Sequence, residues 1–471
     1  MKKLYRFSAI ALLVLPLVFT SCSDYLDRDD DDNITEADVF ARYEKVNGLV
    51  SDVYAAAKKA DRPLVFFEHF SNSAITDECE GTNVEGNITN NFNNGAWNPN
   101  SLPGSVGQYW EALYEGIRKA NLIIENVQKY NTPDNPQQDG DLRNRIGEMY
   151  FMRGYFHMLL LRMYGEAPYI DRVINAGDNM DFKKESVHSM VEKIVTDAQT
   201  AYGMVPNKYV KTSENFGRVD KGACLGLISF VRWVAATPLW NGASQYGYNL
   251  RRVFENEYAY DATRWRKAKE AAKAVLDFEV VGTKRYSLYT KHDANDFKDP
   301  ADGNLNDSRV YARLWDMFYD MDAFANEYVF FMTKSKDQAW QGDIYPPSRE
   351  GSSRQQPVQE QVDEYEYIVG DYGYPVYSAE ARKGGYDDTN PYVKGTRDPR
   401  FYRDVIYHGA PYRNNKNESK TINMASGSDK IGATNATTTG YYLRKFQQES
   451  WNKSGNFSIC LLYTSPSPRD S

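Results

Sequence analysis

The histidine, cysteine and acidic side chains of this chain could catalyse a reaction or bind a metal, but their spacing favours neither role. The five histidines are scattered, without the clustering that a metal site needs. The sequence contains no Gly-x-Ser-x-Gly motif and no phosphate-binding glycine motif. The 64 acidic residues offer too many pairs for a glycosidase pair to stand out. The sequence therefore predicts no catalytic residue, no metal site and no cofactor.

One cysteine has a setting that predicts a modification. Basic residues at the start of the chain precede an apolar run over 7–20, and Ser21-Cys22 follows it directly. This order is that of a secretory signal peptide, and the run is shorter than the roughly 20 residues that a membrane-spanning helix requires. A small residue followed by cysteine resembles a bacterial lipobox. We therefore expect residues 1–21 to be removed and Cys22 to carry the lipid that anchors the mature chain to a membrane.

The two ends of the remaining chain differ in composition from the middle. Residues 22–36 include the aspartate run 29–32, which is typical of a solvated tether, and they lack the glycine and closing glutamate of a calcium loop. Residues 460–471 look like a translated sequencing adapter, so we expect them not to pack and the native C-terminus to be missing. The formal charge of −8 becomes more negative without the basic signal peptide, which makes nucleic acid an unsuitable partner.

Hydrophobic periodicity predicts a mostly helical chain. Apolar residues recur at helical spacing in 37–59, 106–130, 140–164, 186–204, 220–237 and 262–278. Long polar loops separate these segments, and short strands are predicted at 327–333 and 441–446. We therefore expect an all-α fold of tetratricopeptide-like helix hairpins, with long irregular loop insertions and minor short strands, in one domain over 37–459.

Three of the predicted helices carry more specific expectations. The third is apolar on most of its circumference and should be buried, so Arg153 should be paired inside the fold and His157 should be a hydrogen-bonded core residue. In the fifth helix, Gly222 and Gly226 should let a neighbouring helix approach closely. The inner face of the sixth helix should consist of Trp265, Ala268, Ala272 and Val275.

Several segments carry a family resemblance. Residues 147–156 (GEMYFMRGYF) and 164–168 (YGEAP) are similar to the most distinctive stretch of the SusD/RagB family of Bacteroidetes. Further similar segments follow the family's order, at 110–121, 217–223, 238–242, 386–392 and 397–401. Together these segments cover about 22–446, and over this range the chain resembles that family.

The resemblance implies a fold and a role that residue patterns alone do not supply. It implies four tetratricopeptide-like units and a position beside a TonB-dependent, SusC-like outer-membrane barrel, which the protein caps. The acidic stretch after Cys22 resembles a surface-export signal, which implies a lipid-anchored protein on the cell surface at the outer membrane. The implied activity is the capture of oligosaccharides or polysaccharides for the barrel, without catalysis.

Other functions remain alternatives to glycan capture. Peptide capture, as in the RagB branch, is excluded by nothing in the sequence. A glycan-active enzyme is less favoured, because no catalytic motif accompanies the acidic residues, and a purely structural surface protein is the third alternative. The aromatic content of 14%, with 36 tyrosines, fits a surface that stacks on sugar rings, although much of it must form the core.

Two polar loops contain the residues that we expect to contact a ligand. Between the first two predicted helices, Phe92 and Trp97 lie among Asn, Gly and Ser residues, where a ring can stack on a sugar and amides can bond to hydroxyl groups. Trp340 and Tyr345 form the second candidate pair, in a loop that ends at two prolines. The alternative for Trp97 is that it pins its loop onto the helices.

Overall fold

The computed structural model gives the chain a mostly helical architecture, as predicted. It describes residues 35–60, 69–82, 88–98, 100, 104–131, 136–209, 215–243, 254–289, 326–334, 342–393, 395–413, 419–447 and 459–463. The helices are α1 (Glu36–Phe40), α2 (Tyr43–Ala60), α3 (Ile88–Asn93), α4 (Gly104–Tyr130), α5 (Pro136–Tyr164), α6 (Val187–Met204), α7 (Lys221–Ala236), α8 (Ala262–Asp277), α9 (Gln359–Asp363), α10 (Ala379–Lys383) and α11 (Pro399–Asp404).

Short strands form antiparallel two-stranded ladders between and beyond the helices. The pairs are β1 (Cys79–Gly81) with β5 (Gln355–Pro357), β2 (Glu279–Val280) with β3 (Thr283–Lys284), β4 (Phe330–Lys334) with β12 (Ile459–Tyr463), β6 (Tyr367–Val369) with β7 (Tyr372–Tyr374), β8 (Val405–Ile406) with β11 (Tyr442–Leu443), and β9 (Pro411–Arg413) with β10 (Ser419–Thr421). The predicted strands at 327–333 and 441–446 correspond to β4 and β11.

The long helices stack in chain order, each packing against the next from α4 to α8, with α2 against α4 and α5. Their apolar stripes meet in the larger core of the molecule, to which α5 contributes Phe151, Met152 and Phe156. Capping side chains fix where two of these helices begin. Ser186 accepts a hydrogen bond from the Ser189 amide at 3.2 Å, and Asp220 accepts one from the Ala223 amide at 3.0 Å.

Two helix boundaries differ from the prediction. The segment expected as one helix over 37–59 is divided into α1 and α2. The Asn131 side chain donates a hydrogen bond to the Phe40 carbonyl at 2.9 Å, which satisfies a carbonyl group at the end of α1. Helix α5 begins at Pro136, earlier than the expected residue 140, because proline suits the first position of a helix.

Arg153 is paired inside the fold, as predicted. Its guanidinium donates to the Asp197 carboxylate through Nε at 2.8 Å and Nη2 at 2.5 Å, and to Asn121 Oδ1 at 2.9 Å. The two charged side chains are only 8% and 6% exposed. His157 is a fully buried core residue, also as predicted, and its ring stacks on that of Tyr169 with centroids 3.7 Å apart.

The partner expected for the small residues of α7 was wrong. A β-carbon added at Gly222 would clash with the Tyr286 hydroxyl, and one added at Gly226 would clash with a methyl group of Val329. Both glycines therefore make room for side chains from the chain beyond α8, not for the backbone of a neighbouring helix.

The inner face expected for α8 was half wrong. Ala268 is buried and Val275 is partly buried, but Ala272 is exposed and Trp265 is 41% exposed. Helix α8 packs mainly against α7, so only a narrow side of it is covered. A periodic apolar pattern does not reveal how many neighbours a helix has.

A second, smaller core lies under the short elements of the C-terminal part. It is built from aromatic and aliphatic side chains of α11 and the nearby strands, including Phe401, Ile406, Tyr412 and Tyr442. Two arginines, Arg349 and Arg397, are almost completely buried beside it. The Arg397 guanidinium donates to the carbonyl oxygens of Val362 and Tyr365, at 2.6 and 2.7 Å from Nη2, and so closes the end of α9.

Residues 460–463, part of the segment 460–471 that we expected to make no specific packing, form a strand in the structure. Strand β12 pairs with β4 in a register that places Ile459 opposite Lys334 and Tyr463 opposite Phe330. Backbone groups alone form such a ladder, so an open strand edge accepts an extended apolar segment of almost any sequence. The pairing therefore requires a segment that is extended and apolar. It does not require side chains that match those of β4.

Candidate functional site

The structure brings together the two loop regions that sequence reasoning treated separately. Strand β1, which follows His69 and Phe70, pairs with β5, which follows the second candidate loop, so that Gly81 lies opposite Gln355. The Ser71 amide donates to Gln355 Oε1 at 3.0 Å, and Gln355 Nε2 donates to the His69 carbonyl at 2.9 Å. Residues about 280 positions apart therefore form one surface.

Phe92 and Trp97 form an aromatic pair at this surface. Their ring centroids are 4.8 Å apart and their planes meet at 84°. Phe92 is 40% exposed, whereas Trp97 is partly buried against a small cluster around Phe70 and Ala74. The turn between the two rings is closed by a 2.8 Å hydrogen bond from the Ala96 amide to the Asn91 carbonyl. One ring is thus held in place while the other offers open apolar area.

A cluster of charged and polar side chains lies beside Phe70. Asp343 accepts a hydrogen bond from Arg354 Nη1 at 2.7 Å, and its other oxygen lies 3.0 Å from His69 Nδ1. Asp343 is nearly buried, with 11% of its side chain exposed, but His69 keeps 40%. Within the described part of the chain, His69 Nε2 makes no hydrogen bond. Sequence reasoning missed this cluster, because no pattern links His69 to a carboxylate 274 positions away.

A buried glutamine links β5 to Thr82 and to the segment around Thr437 and Thr438. The Gln356 side chain is fully buried, and its Oε1 accepts hydrogen bonds from the Thr438 amide at 2.8 Å and the Thr437 hydroxyl at 3.1 Å. Its Nε2 donates to the Ser353 carbonyl at 2.7 Å and to Thr82 Oγ1 at 2.6 Å. A buried side chain whose polar atoms are all hydrogen-bonded in this way holds β5, and the residues paired with it, in a fixed position.

Tyr345, one member of the second predicted ligand pair, is not available as predicted. Tyr345 is fully buried in the second core, where the guanidinium of Arg349 lies 4.6 Å from its ring centroid. Tyr345 therefore stabilises the core and presents no ring face to solvent. Trp340 lies outside the described residues, as does the expected lipidation site Cys22. Among the sequence candidates that the structure describes, Phe92 and Trp97 are the two whose rings could contact a ligand.

Three further histidines and Cys79 have structural roles in the described part of the chain. His157, His188 and His408 each hydrogen-bond a backbone group. Burial raises the pKa of the Cys79 thiol to about 12, so it stays protonated at neutral pH and is a poor nucleophile or ligand. Among the described residues, no group of histidine, cysteine and acidic side chains could hold a metal ion. No helix in this part of the chain is both long and apolar enough to cross a membrane.

Comparison with known families gives two matches that follow each other along the chain. A SusD-like family described as starch-binding and associating with the outer membrane matches residues 24–231. The SusD family itself matches residues 322–458. The two matches are collinear and cover most of the helical stack and of the second core.

Individual relatives agree with these matches. SusD-like protein P2 from Formosa agariphila is 24% identical over 202 residues, which are 42% of this chain and only 38% of that relative. A crystal structure of a SusD-like protein from Bacteroides fragilis is 18% identical, with a TM-score of 0.66 over 92% of this chain and 74% of that one.

A structure named as a laminarin-binding SusD-like protein is 15% identical, with a TM-score of 0.53 over 89% of this chain and 77% of that one. At these identities the structural likeness shows the fold, which is the helical, tetratricopeptide-like fold expected from the sequence. The family matches, the relative and the shared fold agree, and the chain belongs to the SusD/RagB family.

Proposed function

We propose that this chain is a cell-surface lipoprotein that captures oligosaccharides or polysaccharides and delivers them to a TonB-dependent, SusC-like outer-membrane barrel. The family match described as starch-binding supports the ligand class. The structure named as laminarin-binding supports the same ligand class, because it shares the fold of this chain. The observation that carries the proposal is the aromatic pair of Phe92 and Trp97 beside the polar cluster of His69, Asp343 and Arg354.

The pair and the cluster suit the two faces of a sugar. A pyranose ring has apolar C–H faces that stack on an aromatic ring, and a rim of hydroxyl groups that need hydrogen-bond partners. Phe92 supplies exposed ring area and Trp97 fixes its orientation. His69 Nε2 can donate to or accept from a hydroxyl group. Because the site is held by β1, β5 and Gln356, little conformational entropy is lost when a ligand binds.

Anchoring and surface location rest on the N-terminal segment. A signal peptide that ends at Ser21-Cys22 supplies one lipid-bearing residue, and the acidic stretch after it supplies a tether between membrane and folded domain. In this proposal the chain binds and presents its ligand without catalysis.

An affinity gel series tests the ligand class directly. The purified protein is run through native gels that contain soluble starch, laminarin or xylan, with serum albumin as a non-binding reference. We expect retardation by at least one of the three polysaccharides. Absence of retardation in all three, together with binding to a mixed tryptic peptide pool, would shift the function to peptide capture.

A further inference from the structure

A second aromatic surface lies on the hairpin of β6 and β7, outside the site described above. The register pairs Tyr367 with Tyr374 and Val369 with Tyr372, so all four side chains lie on one face of the hairpin. Three of them pack into a small cluster with the side chains of Val376, Ala381 and Tyr386. Tyr372, at the tip, remains 70% exposed.

A second exposed ring, Tyr377, is held in a fixed orientation next to this cluster. Tyr377 is 54% exposed, and its ring meets that of Tyr386 edge to face, with centroids 6.0 Å apart and planes at 86°. Its hydroxyl donates to Asp363 Oδ1 at 3.2 Å, and Gln359 Nε2 donates to the same oxygen at 2.7 Å. An exposed tyrosine that is fixed at both its ring and its hydroxyl is not an ordinary mobile surface residue.

The partly buried Asp363 gives this surface a polar anchor. Its Oδ1 is occupied by Tyr377 and Gln359, but within the described residues Oδ2 makes no hydrogen bond. A carboxylate oxygen that is held beside an aromatic ring can accept two hydroxyl hydrogen bonds from a sugar stacked on that ring. Asp371, next to Tyr372, adds negative charge, whereas Asp388 is paired with Arg382 at 3.0 Å. The surface therefore suits an uncharged hydroxyl donor better than an anionic ligand.

We infer that Tyr372, Tyr377 and Asp363 form a second carbohydrate-binding platform, for neutral polysaccharides. This inference rests on the proposed function and adds a second point of attachment to it. Nine residues separate Arg354 in the first site from Asp363, and even a fully extended chain of that length spans only about 30 Å. Gln356 holds the intervening β5 in place, and a polysaccharide chain long enough to reach both platforms would bind more tightly than a short ligand.

Affinity electrophoresis in laminarin and starch gels tests the inference, with Tyr377→Ala and Asp363→Asn as the variants. Tyr260→Ala is the matched control, because Tyr260 is 47% exposed and lies outside both platforms. Circular dichroism melts confirm that each protein is folded, and the milder Asp363→Asn keeps the inference testable should Tyr377→Ala unfold. We expect both variants to bind polysaccharide about tenfold more weakly than the parent, while Tyr260→Ala binds like the parent.

The same proteins are titrated with laminaritriose and maltotriose to separate the two proposals. A trisaccharide bound at the first site makes no contact with Tyr377 or Asp363 in this proposal, so we expect its affinity there to change less than about twofold in either variant. Full polysaccharide affinity in folded Tyr377→Ala and Asp363→Asn would overturn the second platform and leave the proposed function intact. A parent that binds neither polysaccharide would overturn both.

Discussion

Arg153 and Asp197 form a buried ion pair that is stable only while both charges are present. Each group is covered from water, and Asn121 and Tyr169 add hydrogen bonds to the pair, the latter at 2.6 Å to Asp197. Removing one charge leaves the other buried without compensation. We therefore expect Arg153→Met to lower the free energy of unfolding by about 3–5 kcal/mol, as measured by urea denaturation.

The double variant Arg153→Met with Asp197→Leu is the control for that experiment. It removes both charges and so should recover much of the loss, because no uncompensated charge remains. Equal stability of Arg153→Met and the parent would show that the pair is not closed to water.

His157 should make the stability of the fold depend on pH. Burial lowers its pKa to about 3 from an ordinary value of 6.5, so the unfolded chain binds a proton between these pH values and the folded chain does not. The stabilisation is complete above pH 6.5 and is lost as the pH falls towards 3. Between pH 5 and 6 we expect the His157→Gln variant to show a slope of unfolding free energy about 1 kcal/mol per pH unit shallower than the parent.

His188 also has a lowered pKa, of about 4, chiefly because of burial. It is present in both proteins, so its contribution cancels in the comparison. Identical slopes for the parent and His157→Gln would mean that His157 is protonated in the folded state.

At the scale of single residues, the sequence predicts what local pattern controls. The apolar stripe of α5 was enough to place Arg153 and His157 in the core, and the polar surroundings of Phe92 and Trp97 were enough to select them as surface candidates. Tyr345 was misjudged because its burial depends on Arg349 and on strands from the second core, whose positions no local pattern records.

At the scale of elements, the helices were predictable and the ladders were not. The backbone hydrogen bonds of a helix join residues of one segment, and the sequence of that segment contains both the apolar period and the capping residues. The pairing of β1 with β5 joins segments far apart in the chain, and short strands carry too few residues to show a period. The candidate site depends on that pairing, so its aromatic residues were predictable from sequence but its polar cluster was not.

The ladder of β4 and β12 offers a prediction about elements. If backbone pairing alone holds β12, then a variant with residues 460–463 in reversed order should keep the thermal unfolding midpoint of the parent, because it preserves the apolar character of the segment. Leu461→Pro should lower the midpoint, since proline cannot donate to a ladder and Leu461 pairs with Met332. A reversed variant that melts like Leu461→Pro would show that β12 is matched to β4 in sequence.

At the scale of the whole molecule, the proposed role requires that a folded domain with two cores stays close to a membrane. The lipid at Cys22 would provide this contact, and the acidic stretch that follows would give the domain reach over a barrel. We expect Cys22→Ala to abolish the incorporation of labelled palmitate and to release the protein from the membrane fraction. Equal labelling of the variant and the parent would contradict the anchor.

Delivery to a transporter requires a complex between the two proteins, which a pull-down can detect. A detergent pull-down of the lipidated protein, from cells grown on the glycan that induces it, should recover a TonB-dependent barrel in comparable amount. The Cys22→Ala variant is the control, because a protein without its lipid should be lost from the membrane before a complex forms. Recovery of the anchored protein without a barrel would contradict the proposed partner.

Titration calorimetry of Trp97→Ala with laminarin and starch measures whether Phe92 and Trp97 bind a glycan. Trp265→Ala is the matched control, since Trp265 is a 41% exposed tryptophan on α8, outside the site. Trp97→Ala removes the ring that holds Phe92 in position, so the stacking of Phe92 should be lost, which weakens binding by about 1–3 kcal/mol, or roughly tenfold or more, by analogy with aromatic stacking on nucleic-acid bases. Trp265→Ala should bind like the parent. Parent-like affinity of a folded Trp97→Ala, or an equal loss in Trp265→Ala, would mean that the Phe92–Trp97 pair is not where the glycan binds.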